Sequence, residues 1–337
     1  MTKKVSGPSF KFGWTVFTSL IFIVSGYVAV NAQTGVYGTV RGKNLPTADA
    51  VNSASNDLLS SLLSPFMLGP TLFALTVFGV LLGLSWRKRK LQPVAIVAIA
   101  TLFTGFIDPI ANWATFAILN PEIPHFPLTW PWFNLAPLIE PVSAFLGGYS
   151  AYYMLVSLSI FWLSKQLLLK IELNRKCLQR RPTLLFFLTA FAVSIPLNLL
   201  LQLAWMHFDV LVYTQCFGPL LSIGDLQYPI LIVLYDPFVY ATIATLCLKN
   251  KQGTSRVLIK IARNLTKNTN PGSSTQTAIA IVLVWASILL PISFFAGVRV
   301  AGLANKPAYE EFPFPSAKIY DPYGDLERAG KAGPFYR

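Results

Sequence analysis

The sequence predicts an all-α fold: a polytopic bundle of about seven transmembrane helices, with the N-terminus inside the cell and the C-terminus outside. Of the 337 residues, 54% are hydrophobic and 12% are charged, whereas a soluble domain carries about 25% charged residues. Seven apolar stretches are each long enough to cross about 30 Å of hydrocarbon as a helix. We expect an integral, multi-pass protein of a bacterial plasma membrane that contacts membrane lipids.

The apolar stretches give the positions of the helices. In chain order they lie near 12–32, 66–85, 94–119, 141–163, 183–205, 226–248 and 276–299. They form a transmembrane helical domain over 1–304. The polar tail 305–337, with Pro and Gly throughout, is expected to be irregular and to lie outside the cell. The first stretch has a second interpretation as a cleaved signal peptide, because two lysines precede an apolar run that ends in Val30-Asn31-Ala32.

The distribution of positive charge sets the orientation. Four alternate connections together hold 19 of the 27 Lys and Arg residues, namely 1–11, 86–93, 164–182 and 249–275. The connections 120–140 and 206–225 hold none, and basic connections stay in the cytoplasm. The same distribution argues against a nucleic-acid partner despite the net charge of +13, because the basic residues flank helices and do not form one patch.

Two aspartates stand inside apolar stretches, and each is followed by proline. Asp108 precedes Pro109, and Asp236 precedes Pro237. An ionisable residue at the centre of a bilayer costs about 2.5–3.5 kcal/mol, so it usually faces the bundle interior or water and marks a functional site. Proline frees a backbone carbonyl one turn earlier, which is tolerated beside polar groups or water. The pattern predicts a shared hydrated cavity, with a helix kink tied to a neighbouring helix as the alternative.

Helical spacing adds polar partners to these aspartates. Asn112 lies one turn after Asp108, Tyr240 lies one turn after Asp236, and Asn198 and Gln202 form an i, i+4 pair. We predict that three carboxylates are catalytic: Asp108, Asp236 and Glu140. We predict that six further residues bind the substrate: Asn112, Trp113, Asn198, Gln202, His207 and Tyr240. Hydrogen bonding between helices is the alternative for Asn198 and Gln202.

Several kinds of site are missing from the sequence. The two histidines, His125 and His207, lack the HExxH or HxxxH spacing of a metal centre, so no metal site is predicted. There is no Walker loop, no GxSxG and no GxGxxG in a strand–helix context, which disfavours an ATPase, a serine hydrolase and a dinucleotide enzyme. The polar side chains that remain as candidates for chemistry carry carboxyl, amide, hydroxyl and imidazole groups. They suit acid–base chemistry without a cofactor on a lipophilic small molecule.

The chain resembles the AveC-like family of membrane spirocyclases. The resemblance rests on the hydrophobic layout and on four motifs: Asp108-Pro109, Asn112-Trp113, Tyr235-Asp236-Pro237-Phe238, and the tail segment Ile319-Tyr320-Asp321-Pro322-Tyr323-Gly324-Asp325-Leu326 that leads to Gly330-Lys331-Ala332-Gly333-Pro334. It implies spiroketal formation, in which a dihydroxy ketone loses water to give two rings that share one carbon, in some members with a related dehydration.

The predicted function is therefore that of a cyclase or dehydratase acting on a lipophilic hydroxy-ketone. One of Asp108 and Asp236 would protonate the hemiketal hydroxyl, and the other would accept the proton of the attacking hydroxyl. Two alternatives remain from the sequence: a proton-coupled transporter, since paired carboxylates at broken helices also fit transport, and a lipid-binding membrane protein.

Overall fold

The computed structural model describes most of the chain from residue 68 to residue 301 and short parts of the tail. The described ranges are 68–115, 117–119, 149–170, 181–207, 211–213, 215–216, 218–223, 226–268, 271–301, 306–307, 319–320, 328 and 335–336. The predicted helix 12–32 and the predicted catalytic residue Glu140 lie outside these ranges.

The described residues are mostly helical. Within them the chain forms α1 (Leu68–Arg87), α2 (Pro93–Leu102), α3 (Asp108–Thr115), α4 (Tyr149–Lys170), α5 (Pro182–His207), α6 (Ile232–Leu246), α7 (Arg256–Thr266) and α8 (Ser273–Val300). Three of them, α4, α5 and α8, are long and apolar enough to cross a membrane, over Tyr152–Lys170, Pro182–His207 and Ser273–Val298. These helices indicate that the protein associates with a membrane.

Four predicted stretches coincide with single helices over the residues described. α5 and α8 match 183–205 and 276–299, and α1 covers the described part of 66–85. α4 begins at Tyr149 within the predicted 141–163 and continues to Lys170. In two of these segments, α5 and α8, a proline lies inside a continuing helix, at Pro196 and Pro291.

The predicted helix 94–119 was wrong as a single element. α2 ends at Leu102, a 3₁₀ turn follows over Phe103–Phe106, and α3 begins at Asp108. Pro109 therefore lies in the first turn of a new helix, where a missing N–H costs no hydrogen bond, and does not interrupt a helix interior. Ser150 Oγ on α4 donates to the Leu102 carbonyl at 3.0 Å, so a neighbouring helix satisfies a backbone group at the break.

The predicted helix 226–248 was wrong at its start. Strand β4 (Leu220–Ile223) pairs antiparallel with β5 (Leu226–Pro229), and the helix begins only at Ile232. Ile223 pairs with Leu226; in the sequence Gly-Asp stands between these two residues, a dipeptide that favours a two-residue hairpin loop. α6 has 15 residues, or about 22 Å, which is shorter than the hydrocarbon layer of about 30 Å.

Short strands also modify the all-α expectation. Besides the β4–β5 hairpin, β1 (Ala117–Leu119) pairs with β2 (Leu211–Tyr213), β3 (Gln215–Cys216) with β6 (Lys306–Pro307), and β7 (Ile319–Tyr320) with β8 (Phe335–Tyr336). The tail expected to be irregular thus contributes three of these strands. β1 follows α3, β2 to β5 lie between α5 and α6, and β6 follows α8. We call the end of the bundle where these strands lie the strand end.

The helix pair that carries the candidate site is α5 and α6, and α4 contacts both. The buried residues of α5 recur at every fourth position: Phe186, Ala190, Ser194, Asn198, Gln202 and Met206. Such an i±4 ridge is a common packing surface between helices. In this ridge, which we call the buried row of α5, three consecutive members are polar.

Candidate functional site

Asp236 lies one turn inside α6 and is buried, with 6% of its surface exposed. The next residue, Pro237, has no N–H to donate to the carbonyl one turn earlier. Ser194 Oγ, on the buried row of α5, donates to the Pro237 carbonyl at 3.2 Å and to the Phe191 carbonyl at 2.8 Å. This shared hydroxyl ties α5 to α6 beside the buried carboxylate.

A chain of two side-chain hydrogen bonds leads to Asp236 from the strand end. Gln202 Nε2 donates to Asp236 Oδ2 at 3.0 Å, and Tyr213 Oη in β2 donates to Gln202 Oε1 at 3.2 Å. All three side chains are buried. A hydrogen bond to a carboxylate is among the stronger ones in proteins, so Gln202 holds Asp236 in a defined position.

A second, longer chain passes through Asn198. Tyr152 Oη donates to Asn198 Oδ1 at 3.4 Å, and Asn198 Nδ2 donates to Tyr228 Oη at 3.5 Å. Asn198 and Tyr228 are completely buried. Because these distances are near the upper limit for a hydrogen bond, this chain is weaker than the one through Gln202.

Tyrosine rings surround the two chains. The Tyr240 ring centroid lies 5.7 Å from that of Tyr152 and packs edge to face, and the Tyr213 ring packs edge to face on Tyr228 at 5.6 Å. Tyr240 lies one turn after Asp236 on α6, and Tyr228 is the hydrogen-bond partner of Asn198. We call this group the Asp236 cluster, which consists of Tyr152, Asn198, Gln202, Tyr213, Tyr228, Asp236 and Tyr240.

The arrangement has a definite chemical capacity. A buried carboxyl group held by an amide can give or accept a proton where water competes little. The electron-rich faces of the tyrosine rings favour a positive charge nearby. Within the described residues no three His, Cys, Asp or Glu side chains gather closely enough to hold a metal ion. The cluster is suited to proton transfer next to an apolar, aromatic wall.

The structure brings together four of the nine residues predicted from the sequence: Asn198, Gln202, Asp236 and Tyr240. Asn112 is half-buried on α3, a helix that packs on α8. His207 is exposed and is the last residue of α5. Glu140 and the side chains of Asp108 and Trp113 lie outside what the structure describes. A cavity shared by Asp108 and Asp236 therefore stays a prediction.

Sequence reasoning missed Ser194 and the tyrosines of the cluster other than Tyr240. Ser194 has a signal, since it stands four residues before Asn198 and extends the same polar spacing toward the N-terminus. Tyr228 also has an indirect signal, because the Gly-Asp connection identifies the hairpin that carries it. Tyr152 and Tyr213 are aromatic residues in apolar segments, and only their contacts across the fold distinguish them.

Comparison with known proteins gives one match. The family model described as "Spirocyclase AveC-like" matches residues 86–320, which include every member of the Asp236 cluster. No curated protein and no solved structure matches the chain.

Proposed function

The chain belongs to the AveC-like spirocyclase family, and from this premise we propose that it closes rings in a lipophilic hydroxy-ketone with loss of water, using Asp236 for proton transfer. The observation that carries the proposal is the hydrogen bond from Gln202 Nε2 to Asp236 Oδ2 at 3.0 Å in a buried, tyrosine-lined site. This bond holds a carboxyl group in place where a proton can be exchanged with a substrate and not with bulk water.

In the proposed reaction Asp236 gives one proton to the substrate and receives one back. One hydroxyl of a dihydroxy ketone adds to the carbonyl carbon to form a hemiketal. Asp236, as the carboxylic acid, protonates the hemiketal hydroxyl, and the C–O bond breaks to release water and leave an oxocarbenium ion. The second hydroxyl then attacks this carbon, and its proton passes to the carboxylate. The net change is loss of one water, and no cofactor is required.

The remaining members of the cluster have supporting roles in this proposal. Gln202 orients the carboxyl group, and Asn198 and the tyrosine hydroxyls orient the substrate hydroxyls. The faces of the Tyr152 and Tyr240 rings stabilise the positive oxocarbenium ion by cation–π attraction. Asp108 is proposed as the second carboxylate, which would accept the proton of the attacking hydroxyl and return it to Asp236 before the next turnover. Glu140, Asn112, Trp113 and His207 remain proposed contributors from the sequence.

The substrate reaches the site through the strand end in this proposal. Tyr213 and Tyr228 come from the strands β2 and β5, whereas the other cluster members lie on α4, α5 and α6. The strands therefore form the cover of the site, and a substrate enters when this cover moves. We place the protein as a multi-pass protein of a bacterial plasma membrane, with the strand end outside and the basic connections inside.

A proton-coupled transporter is the second candidate. The observation that favours it is a buried Asp236 beside Pro237 in a helix of 15 residues, because transporters place substrate and proton sites at interrupted helices near the middle of the membrane. The two functions differ in their product: a transporter returns its substrate unchanged.

The deciding experiment measures stereochemistry as well as rate. The purified protein in detergent is incubated with a linear ketone that carries a hydroxyl on each side, positioned to form two six-membered rings. We expect one spiroketal stereoisomer to form faster than the mixture produced in buffer alone. Asp236→Asn should lower the rate by a factor of about 10² to 10⁴.

The matched control is Ser287→Ala, which removes a buried hydroxyl on α8 that bonds to Val284 O of its own helix at 2.7 Å. It should keep the rate and the stereochemistry. A folded Asp236→Asn variant with full activity would remove Asp236 from the mechanism. Unchanged ketone, together with proton-driven uptake into sealed vesicles, would replace the cyclase by the transporter.

A further inference from the structure

A concave site lies away from the Asp236 cluster, at the end of α6 opposite the strand end. It is a cavity of about 470 Å³, and its lining residues are Lys249, Asn250, Lys251, Gln252, Arg256 and Arg263. Four of the six are basic, two are amides, and no carboxylate is among them. Asp236 lies ten residues before the end of α6, or about 15 Å along the helix axis.

A loop that is held by its own hydrogen bonds forms most of the wall of this cavity. Asn250 Oδ1 accepts hydrogen bonds from the backbone N–H groups of Gln252 at 2.9 Å and Thr254 at 3.1 Å. Gly253 adopts a positive φ of 73°, which a glycine takes without strain. Ser255 closes the loop by donating its hydroxyl to the Leu246 carbonyl. The cationic side chains thus project from a backbone that is fixed by its own hydrogen bonds.

The loop is also anchored to the connection between α1 and α2. Lys249 Nζ donates to Gln92 Oε1 at 3.2 Å, and Lys90 Nζ donates to the Gln252 carbonyl at 3.3 Å. These bonds bring the basic run after α1 beside the cavity. The two segments are more than 150 residues apart in sequence, so the fold and not the local sequence gathers the positive charge.

A helix terminus adds to the positive potential. α7 begins at Arg256 with Ser255 as its N-cap, whose Oγ accepts from Leu258 N at 3.3 Å. The first turn of α7 contains no acidic residue. The N-terminal end of a helix carries a partial positive charge and favours anions. Arg256, the first residue of α7, is one of the residues that line the cavity.

The positive charges at this end are crowded. Partial burial lowers the pKa of Lys249, and the neighbouring charges of Lys88 and Lys165 lower it further. A bound anion would relieve this repulsion between lysines, which supports an anionic occupant.

Apolar side chains stand exposed at the same end of the bundle. Leu265 on α7 is 70% exposed, Leu169 on α4 is 67% exposed, and Trp86 on α1 is 41% exposed. An anion that carries acyl chains can place its charged group in the cavity and its chains against such residues. A free inorganic anion would gain only the first of these contacts.

We propose that the cavity formed by Lys249, Lys251, Arg256 and Arg263 binds a phosphate group, in the headgroup of an anionic phospholipid or as free phosphate. Its volume is within the range of about 300–1,000 Å³ that ligand sites occupy. Arginine and lysine side chains are the usual partners of phosphate in proteins. This site is independent of the reaction proposed for the Asp236 cluster.

The test compares two double variants that remove the same charge. Lys251→Gln/Arg256→Gln changes exposed residues of the cavity, and Arg87→Gln/Lys170→Gln changes exposed residues of the same end that do not line it. Phosphatidic acid, phosphatidylcholine and inorganic phosphate are titrated into the full-length protein in detergent, and the bound species are counted by native mass spectrometry.

We expect phosphatidic acid to bind at least tenfold more tightly than phosphatidylcholine. The cavity variant should weaken this binding about tenfold or more, the loss expected for charge-assisted hydrogen bonds, and the control variant by less than twofold. Lys251→Arg/Arg256→Lys keeps the charge and should retain binding. If inorganic phosphate binds as tightly as phosphatidic acid, the ligand is free phosphate. If inorganic phosphate binds more weakly or not at all, the ligand is the phospholipid.

Two outcomes would overturn the proposal. Equal losses in the cavity variant and the control variant would show that diffuse charge attracts the lipid and that the cavity is not a site. If neither phosphatidic acid nor phosphate bound the wild-type protein, the cavity would not be a phosphate site. Thermal melting of each variant distinguishes a lost site from a lost fold.

Discussion

Tyr213 donates its hydroxyl hydrogen to Gln202 Oε1 at 3.2 Å, and this bond decides which way the Gln202 amide faces. A side-chain amide has one accepting oxygen and one donating nitrogen. With the oxygen engaged by Tyr213, the nitrogen is directed at Asp236 Oδ2, 3.0 Å away. A strand at the end of the bundle therefore determines the orientation of the group that holds the buried carboxylate.

Tyr213→Phe should loosen this orientation. The variant keeps the ring but lets the Gln202 amide turn, so we expect a loss of about 0.5–1.5 kcal/mol of stability, the usual worth of one hydrogen bond, and a partial loss of turnover. Thermal melting and the stereoisomer ratio of the product measure the two effects. Ser287→Ala, which also removes one buried hydroxyl, should leave the product ratio unchanged. An unaltered ratio in Tyr213→Phe would mean that Asp236 does not depend on this bond.

Substitution can show which of the two amides in the buried row contributes more to stability. Gln202→Leu leaves the buried Asp236 carboxyl group without its amide donor at 3.0 Å, and an unsatisfied buried polar group costs about 1–3 kcal/mol. Asn198→Leu breaks bonds of 3.4 and 3.5 Å between neutral groups, and we expect about 0.5–1.5 kcal/mol. Melting in detergent at equal concentration gives the order. The reverse order would show that Asn198 is the main structural link.

Asp108→Asn tests the second proposed carboxylate. If Asp108 exchanges protons with the substrate, the variant should lose turnover by a factor of about 10² to 10⁴ while it melts near the wild-type temperature. If Asp108 only begins α3, asparagine should replace it well, since both residues are good helix N-caps. Full activity in a folded variant would leave Asp236 to act alone.

Reporter fusions test the proposed orientation. A reporter after Arg337 should report a non-cytoplasmic position, and one inserted in 249–275 a cytoplasmic position, because of the basic residues in that connection. Finding both reporters on one side of the membrane would contradict the seven-helix arrangement. N-terminal sequencing of the purified protein that begins near Gln33 would show instead that the segment 12–32 is cleaved.

The sequence predicted the parts of the site that depend on local spacing. Asn198 and Gln202 are four residues apart on one helix, so they had to share a face of α5, and Tyr240 follows Asp236 by one turn of α6. Long apolar runs such as Ser273–Val300 also define their helices without help from the rest of the chain.

The parts that depend on contacts between distant segments could not be predicted in this way. Hydropathy does not distinguish one helix over 94–119 from two helices joined by a turn, because the break is stabilised by Ser150, 48 residues from the carbonyl that it satisfies. Leu226–Pro229 is apolar enough to begin a helix, but its pairing with Leu220–Ile223 makes it a strand. Tyr213 and Tyr228 reach the cluster only through such strands.

The four-residue spacing of the buried row of α5 constrains how this chain can vary. A residue inserted between Asn198 and Gln202 would rotate everything beyond it by about 100°, and Gln202 would turn away from Asp236 even though every amino acid of the site was still present. Exposed positions of the same helix, such as Leu188 and Leu200, can be exchanged for other apolar residues without this effect. Among relatives that keep the site, we therefore expect the exposed positions of α5 to vary, whereas the number of residues between Ser194 and Gln202 should not.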